Sequence, residues 1–256
     1  MTVENRQYIF GSGNVYVTPV GGGAPLKVGA LQDVSVDISW DIKQLWGQNQ
    51  FALALARGKA KIECKAMTGE FNIALFNSMV FNSTVAAASV QSPVFGELGT
   101  PTGGTHTITV ANAGTAGANF LYDLGVTYAA TGIALTQTNS VAPATAGTYH
   151  ATATGHYAFN TADAALQMSI DYIYKGTAGQ TLAINNQLMG QAPIFQLILA
   201  ETFGDLANTM VMILYSCTAN KLAMPLKQDD FEITEIDFQA QANGAGQVLS
   251  ISTTGS

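Results

Sequence analysis

The chain has 256 residues, of which 48% are hydrophobic and only 11% charged, and its formal net charge is −7. That length builds one large β domain or two smaller ones, each with its own core. The negative charge excludes tight nucleic-acid binding driven by counterion release, and a charged fraction below the usual ~25% points to a surface covered by other copies or by partners.

The opening residues MTVENRQYIF show no basic stretch followed by an apolar run, so no signal peptide is expected. The longest apolar run, MVMIL from Met210, is too short to span a bilayer. The first strand signal is GNVYVTPV, with Val15, Tyr16, Val17 and Val20, and GGGAP breaks it. In LQDVSVDISWDIKQLW, Val34, Val36, Ile38, Trp40 and Ile42 alternate with Asp33, Ser35, Asp37, Ser39 and Asp41. This predicts a long strand with one buried and one polar face.

FALALARGKAKIECKA alternates too. Arg57, Lys59, Lys61 and Lys65 share one face, and Ala56, Ala60, Ile62, Cys64 and Ala66 take the other. The two strands form a long antiparallel hairpin, in which Asp33 is expected to face Lys65, Asp37 to face Lys61 and Asp41 to face Arg57. So long a hairpin overhangs any small core and needs neighbouring strands or another subunit to cover it.

TGEFNIALFNSMVFN then places Phe71, Ala74, Leu75, Ser78 and Met79 at helical spacing, with Ile73, Phe76 and Val80 widening the apolar face. Thr68 is the expected N-cap and Glu70 sits in the first turn. Between Lys65 and Lys175 there is no Lys or Arg, and the stretch is rich in Thr, Ala and Gly, with alternating segments such as THTITVA and TYHATAT. Residues 83–176 are therefore read as a small β unit inserted into a host made of 1–82 and 177–256. The remaining segments all read as strands joined by turns, so the host is mainly β with one helix.

The densest charge cluster is KQDDFEITEIDF, from Lys227 to Phe238. Phe231 and Ile233 have one parity; Ile236, Phe238 and Ala240 have the other. A β-bulge near Thr234–Glu235 turns all five inward and sets Glu232, Glu235, Asp237, Gln239 and Gln241 outward. The cluster then reads as a polar strand face, not as a hydrolase pair, which needs one carboxyl in an apolar pocket. It also lacks the spacing and central Gly of a calcium loop.

His106, His150 and His156 have no zinc spacing, and Cys64 and Cys217 read as two reduced, buried thiols. GSGNVY begins like a dinucleotide fingerprint, but Tyr16 stands in place of the third Gly and leads into a strand. There is no phosphate loop and no nucleophile elbow. No enzyme activity and no cofactor are expected.

GNVYVTPVG, DVSVDISWDIKQLWGQNQFALALARGKAKIECKA, NQLMGQAPIFQLIL and KLAMPLKQDDFEITEIDFQAQANGAGQVLSIST, in this order over both host flanks, resemble the major tail tube proteins of tailed bacteriophages. The stretch from DLGVTYAATGIALTQ to GTYHATATGHYAFNTAD resembles a unit of some phage structural proteins. The resemblance implies a β-sandwich or barrel with a helix on its flank. It implies rings of six that stack into a hollow tube, with hairpins of neighbouring subunits joined into one inner barrel.

Implied partners are other copies of the chain, tape measure and tail completion proteins, and double-stranded DNA passing through the lumen during ejection. No membrane is implied, and no catalytic residue is carried over. The implied location is the virion tail, assembled in the cytoplasm of the host bacterium. Residues 31–66 balance at +1 and residues 221–256 at −3. Glu232, Glu235 and Asp237 are therefore the lumen candidates, and an acidic wall repels DNA phosphates.

Asp33, Asp37, Asp41, Arg57, Lys61 and Lys65 are the candidates for cross-strand or inter-subunit contacts. The nearly uncharged insert is expected outside the tube. Three other readings stand beside this one: a tube-initiating or tail-tip protein, a carbohydrate- or cell-surface-binding β module, and a carboxylate hydrolase built on the acidic cluster.

Overall fold

The computed structural model describes residues 11, 13–87, 90–102, 104–114, 119–203 and 208–254. The chain is mainly β. In chain order the strands are β1 (Asn14–Pro19), β2 (Leu26–Val28), β3 (Leu31–Trp46), β4 (Ala52–Thr68), β5 (Val85–Ala87), β6 (Val90–Gly99), β7 (Thr107–Thr109), β8 (Phe120–Tyr128) and β9 (Thr136–Gln137). They continue as β10 (Thr148–Ala151), β11 (His156–Phe159), β12 (Met168–Gly176), β13 (Gln180–Leu182), β14 (Phe195–Phe203), β15 (Asn208–Ala223), β16 (Thr234–Ala240) and β17 (Leu249–Thr254).

Two compact units result: residues 1–85 with 182–256, and residues 86–181. The boundaries read from composition, 83 and 176, lie a few residues before these. The connecting strands β5 and β13 form a two-stranded sheet of their own.

The first unit holds an eight-stranded sheet in the order β2-β1-β14-β15-β16-β4-β3, with β17 also on β15. The first half of β15 pairs with β17 and its second half with β16. Alternation along the strands puts one face of the sheet into a single core. Val15 and Val17 of β1, Cys64 and Ala66 of β4, Leu197 of β14, Leu214 of β15 and Phe238 of β16 all belong to it, and the Phe195 and Phe238 rings meet edge-on at 5.7 Å.

Helix α1 (Ile73–Phe76) and the π-helical turn Asn77–Phe81 add Leu75, Phe76 and Met79 to this core. The helix is shorter than the sequence suggests, and its cap is Asn72, whose side chain accepts from the Leu75 amide at 3.1 Å. Thr68 is not the cap. It closes β4, is buried, and donates its hydroxyl to the Gly29 carbonyl at 2.5 Å. Asn82 ends the helical segment in the left-handed region at φ 46, a conformation that Asn tolerates better than most residues.

The second unit holds two sheets, β7-β11-β10-β9 and β6-β12-β8. Its core is aromatic: Phe120, Tyr149, Tyr157, Phe159 and Tyr172 pack with Met168 and Ile170.

The hairpin β3–β4 has a different register from the one expected on charge. At the tip, Trp46 faces Ala52, a pairing with the same offset as the three expected charge pairs. Two irregularities then each shift the pairing by one residue, one near Leu53 and one between Arg57 and Ala60. Beyond them Asp33 faces Met67, Ser35 faces Lys65, Asp37 faces Glu63 and Ser39 faces Lys61, while Arg57 faces Ile42. None of the three expected ion pairs forms. Exposed pairs contribute at most about 1 kcal/mol, too little to set a register against the turn and the bulges.

Candidate functional site

Only the base of the hairpin is covered by the body of the first unit. Ile62, Cys64 and Ala66 are buried, and Val34 and Val36 pack against the core. Farther out the same face stays apolar but exposed. Ile38, Trp40, Ile42 and Leu55 continue it in register, and Trp46, Phe51 and Leu53 lie exposed at the tip. The sequence reading assigned Val34 through Ile42 to one buried face. In the single chain, burial fades beyond Val36: Ile38 and Trp40 line an open cavity with residues between 242 and 250, and among the described residues Ile42 and Leu55 stay more than half exposed. The bulge between Arg57 and Ala60 moves Arg57 off the polar face, and its guanidinium lies 4.6 Å from the centroid of the Trp40 ring, a cation–π contact.

The opposite face carries the charges. Ser35, Lys65, Asp237 and Lys221 form one cross-strand row over β3, β4, β16 and β15. Glu235 lies one row away and binds both ammonium groups, Lys65 at 2.7 Å and Lys221 at 2.5 Å. Lys221 also reaches Asp237 at 3.5 Å. These hydrogen bonds, first from Lys221 and then from Lys65, hold the Glu235 carboxyl below its usual range, and the Glu235 contact likewise raises Lys221. Lys61 pairs with Glu63 at 2.6 Å on its own strand.

Of the three lumen candidates, Glu235 and Asp237 thus sit in a neutralised ladder. Glu232 lies ahead of β16 and makes no ion pair among the described residues. Lys221, which balances the ladder, stands fourteen residues before Glu235 and across a turn, so strand parity alone gave no sign of it.

The expected bulge at Thr234–Glu235 is absent. β16 pairs without interruption with β4 from Thr234–Thr68 to Ala240–Ile62, and the extra residue is Asn220 on β15. Thr234, Ile236 and Phe238 point inward. Phe231 and Ile233 precede the strand, so they need not share its parity. Phe231 is exposed rather than buried. Asp230 accepts from Lys227 at 3.1 Å and from the Phe231 amide at 2.8 Å, which lowers its pKa.

Of the glycines of GSGNVY, Gly13 serves packing. A Cβ on Gly13 would come within 2.8 Å of the Ala200 carbonyl oxygen, and its φ is +63, a region that favours glycine. Beneath this segment Glu201 is buried, with Oε1 lacking a hydrogen-bond partner among the described residues. Burial raises its pKa. The Cys64 and Cys217 thiols are free, and burial pushes both up to about 12.

In the second unit three of the carboxylates are tied to tyrosines. Asp123 accepts from Tyr149 at 2.6 Å and Tyr157 at 2.9 Å, Glu97 from Tyr172 at 2.6 Å, and Asp163 from Tyr128 at 2.8 Å. Burial, followed by the neighbouring carboxylates, raises the Tyr149 and Tyr157 phenols. These contacts cross-brace the aromatic core, and no periodic pattern in the sequence marks them.

Among the described residues no three His, Cys, Asp or Glu come together as a metal set. None of their helices is long and apolar enough to cross a membrane. No protein-family model matches the chain, and no curated protein matches it. The candidate site is the exposed apolar face of the hairpin, backed by a face that carries the ion pairs of Lys61, Lys65 and Lys221.

Proposed function

We propose that the chain is a structural subunit of the tail-tube type, whose copies associate through their hairpins into rings, six to a ring by resemblance, that stack into a DNA-conducting tube. The carrying observation is the hairpin: strands of 16 and 17 residues whose outer apolar face is left exposed by the described residues. A solitary protein gains nothing from a long exposed apolar sheet and risks aggregation by it. Closing such hairpins side by side into a barrel covers that face and removes the free edges. The four sequence segments that resemble tail tube proteins include this hairpin.

In this reading the charged face of β3, β4 and β16 lines the lumen, and the second unit lies on the exterior. Tape measure and tail completion proteins are the further partners. The partly exposed charges of the hairpin then serve orientation and partner choice more than affinity. Negative-stain electron microscopy with sedimentation velocity tests the proposal. Rings or stacked tubes of indefinite length are the expected result, and a monomer that persists at high concentration overturns it.

A further inference from the structure

From the structure we infer that Asn243 is a site of spontaneous covalent modification: the backbone nitrogen of Gly244 attacks the Asn243 side-chain amide, ammonia leaves, and the position converts to aspartate and isoaspartate. The reaction does not depend on the tube reading. Asn-Gly occurs once in the chain, at 243–244. Glycine leaves its backbone nitrogen open to approach because it carries no side chain. A Cβ on Gly244 would meet no atom within 4 Å, so the surrounding protein does not crowd this residue either. Among the described residues the Gly244 amide donates no hydrogen bond, so no bond is broken when it loses its proton.

The electrophile is held ready. Asn243 Oδ1 accepts from the Ala245 amide at 3.0 Å and from the Gln247 amide at 2.9 Å. The first bond folds the side chain back over its own peptide link, which brings Cγ alongside the Gly244 nitrogen. Both donors point at the oxygen on which negative charge develops during attack, the arrangement that stabilises the tetrahedral intermediates of acyl transfer. Nδ2, the leaving nitrogen, donates to the Gln247 side chain at 3.2 Å. Main-chain bonds fix the turn: Gly246 N donates to Asn243 O at 2.9 Å, and Asn243 N to Gln247 O at 2.9 Å. Asn160 gives the contrast. Its Oδ1 accepts from the Ala162 amide at 2.9 Å in the same way, but the next residue is Thr161, whose stiff, branched side chain crowds the attacking nitrogen.

Water takes the proton of the Gly244 N–H. The nitrogen's electron pair then forms a bond to Cγ, and the carbonyl π pair moves onto Oδ1. When that pair returns, the Cγ–Nδ2 bond breaks and Nδ2 leaves as ammonia with a proton from water. The product is a cyclic imide. Water opens it: cleavage at the side-chain carbonyl gives aspartate, and cleavage at the main-chain carbonyl gives isoaspartate, in which the chain runs through Cγ. Nothing is oxidised or reduced. The formal net charge of −7 becomes more negative by one. The loop is tied to β15 at both ends, by Gln241 N to Ser216 O at 2.8 Å and by Tyr215 N to Val248 O at 3.1 Å, so the change is confined between those anchors. Ala242, Gly246 and Gln247 of this loop line a cavity with Ile38 and Trp40, so the altered turn borders the exposed hairpin.

The test holds the full native chain at pH 8 and at pH 6, beside a sample unfolded in urea. Trypsin then cleaves after Lys227, and Asn243 is the only Asn in 228–256. Fragmentation mass spectrometry should find isoaspartate and aspartate at 243, while Asn160 keeps its amide. Conversion should be at least about tenfold faster at pH 8 than at pH 6, because the deprotonated nitrogen is the attacking group. Gly244→Ala should slow it by about tenfold or more, because the added methyl group hinders the approach to Cγ. The new Cβ has open space and the residue lacks a positive φ, so the circular dichroism spectrum should not change. A native rate at or above that of the unfolded chain supports the role of the two amide donors. A native chain that converts more slowly than the unfolded one, equal conversion at Asn160, or a Gly244→Ala chain that converts as fast as the parent overturns the inference. Each of these outcomes leaves the tube reading standing.

Discussion

Replacing Ile42 and Leu55 by serine should separate folding from assembly. The two residues lie on the same hairpin face, with Ile42 opposite Arg57 and Leu55 opposite Gln44. Ile42 is 53% exposed and Leu55 68% exposed in the single chain. Full burial of such a side chain contributes about 1.5–3 kcal/mol. The smaller, already buried share of each side chain acts in the subunit, so its loss should cost the fold about 1 kcal/mol per site, a Tm drop of a few degrees at this size. The larger share acts only when a neighbouring copy covers the face. It amounts to about 1–2 kcal/mol per residue, or about 2–4 kcal/mol per contact for the pair.

At about 1.4 kcal/mol per tenfold, the critical concentration for assembly should rise between thirty- and a thousandfold. Scanning calorimetry reports the first quantity and sedimentation velocity the second. A double variant that assembles at the parent's concentration while keeping its fold would refute the claim that this face is covered in the assembly.

Two further outcomes follow from buried groups. Asp123→Ala should leave the Tyr149 and Tyr157 hydroxyls without their acceptor, at about 1–3 kcal/mol for each unpaired group. In urea, followed by near-ultraviolet circular dichroism, the tyrosine-rich unit should then unfold at lower concentration, and an unchanged midpoint would count against the bracing role. The Cys64 and Cys217 thiols, pushed up to about 12 by burial, should not react with a disulfide reagent at pH 8 in the native protein and should both react once it is unfolded. Rapid native labelling would contradict their burial.

Period-two alternation gave the β class, the long hairpin and the two-faced character of β3 and β4 from the sequence, because every second residue must meet the same environment. It failed where a single inserted residue changes the count. The bulge between Arg57 and Ala60 keeps the alternation of letters intact while moving Arg57 to the other face. The apparent slip in FEITEIDF needs no bulge at all, since β16 begins only at Thr234. Thr68 reads as a cap because its local sequence suits one, but β4 runs on to it and its hydroxyl is taken by Gly29.

Exposure was the least legible property. Nothing in the order of Ile38, Trp40 and Ile42 says whether their cover comes from the same chain. The carboxylate–tyrosine pairs join residues 26 to 75 positions apart, beyond any local pattern.

The charge pairing changes what the proposed lumen surface is. Asp33, Asp37, Asp41, Glu63, Glu235 and Asp237 share the polar face with Lys43, Lys59, Lys61, Lys65 and Lys221, six acids against five bases and a net of −1. Three of its cations, Lys61, Lys65 and Lys221, are engaged by carboxylates, so in the proposed tube DNA would pass this face because most of its cations are already paired, more than because it repels. Glu235 is then a poor probe of the lumen. Its folded pKa is lowered from 4.5 by the two lysines, so its contribution to stability is present above that value and fades as the pH falls through the lowered one. Lys221, raised from 10.5, contributes below its unfolded value and loses that contribution as the pH rises through the raised one, so the pair holds throughout the neutral range.

Glu235→Lys would set a third ammonium between Lys65 and Lys221 and disturb the fold at neutral pH. Glu235→Gln should weaken it less, and that difference from the parent should vanish in acid, where both side chains are neutral. Glu232→Lys touches no pair and adds a cation beside the strand. If the face conducts DNA, the Glu232→Lys tube should keep its Tm and its length while DNA delivery falls. Equal loss of Tm and delivery would assign Glu232 to folding instead.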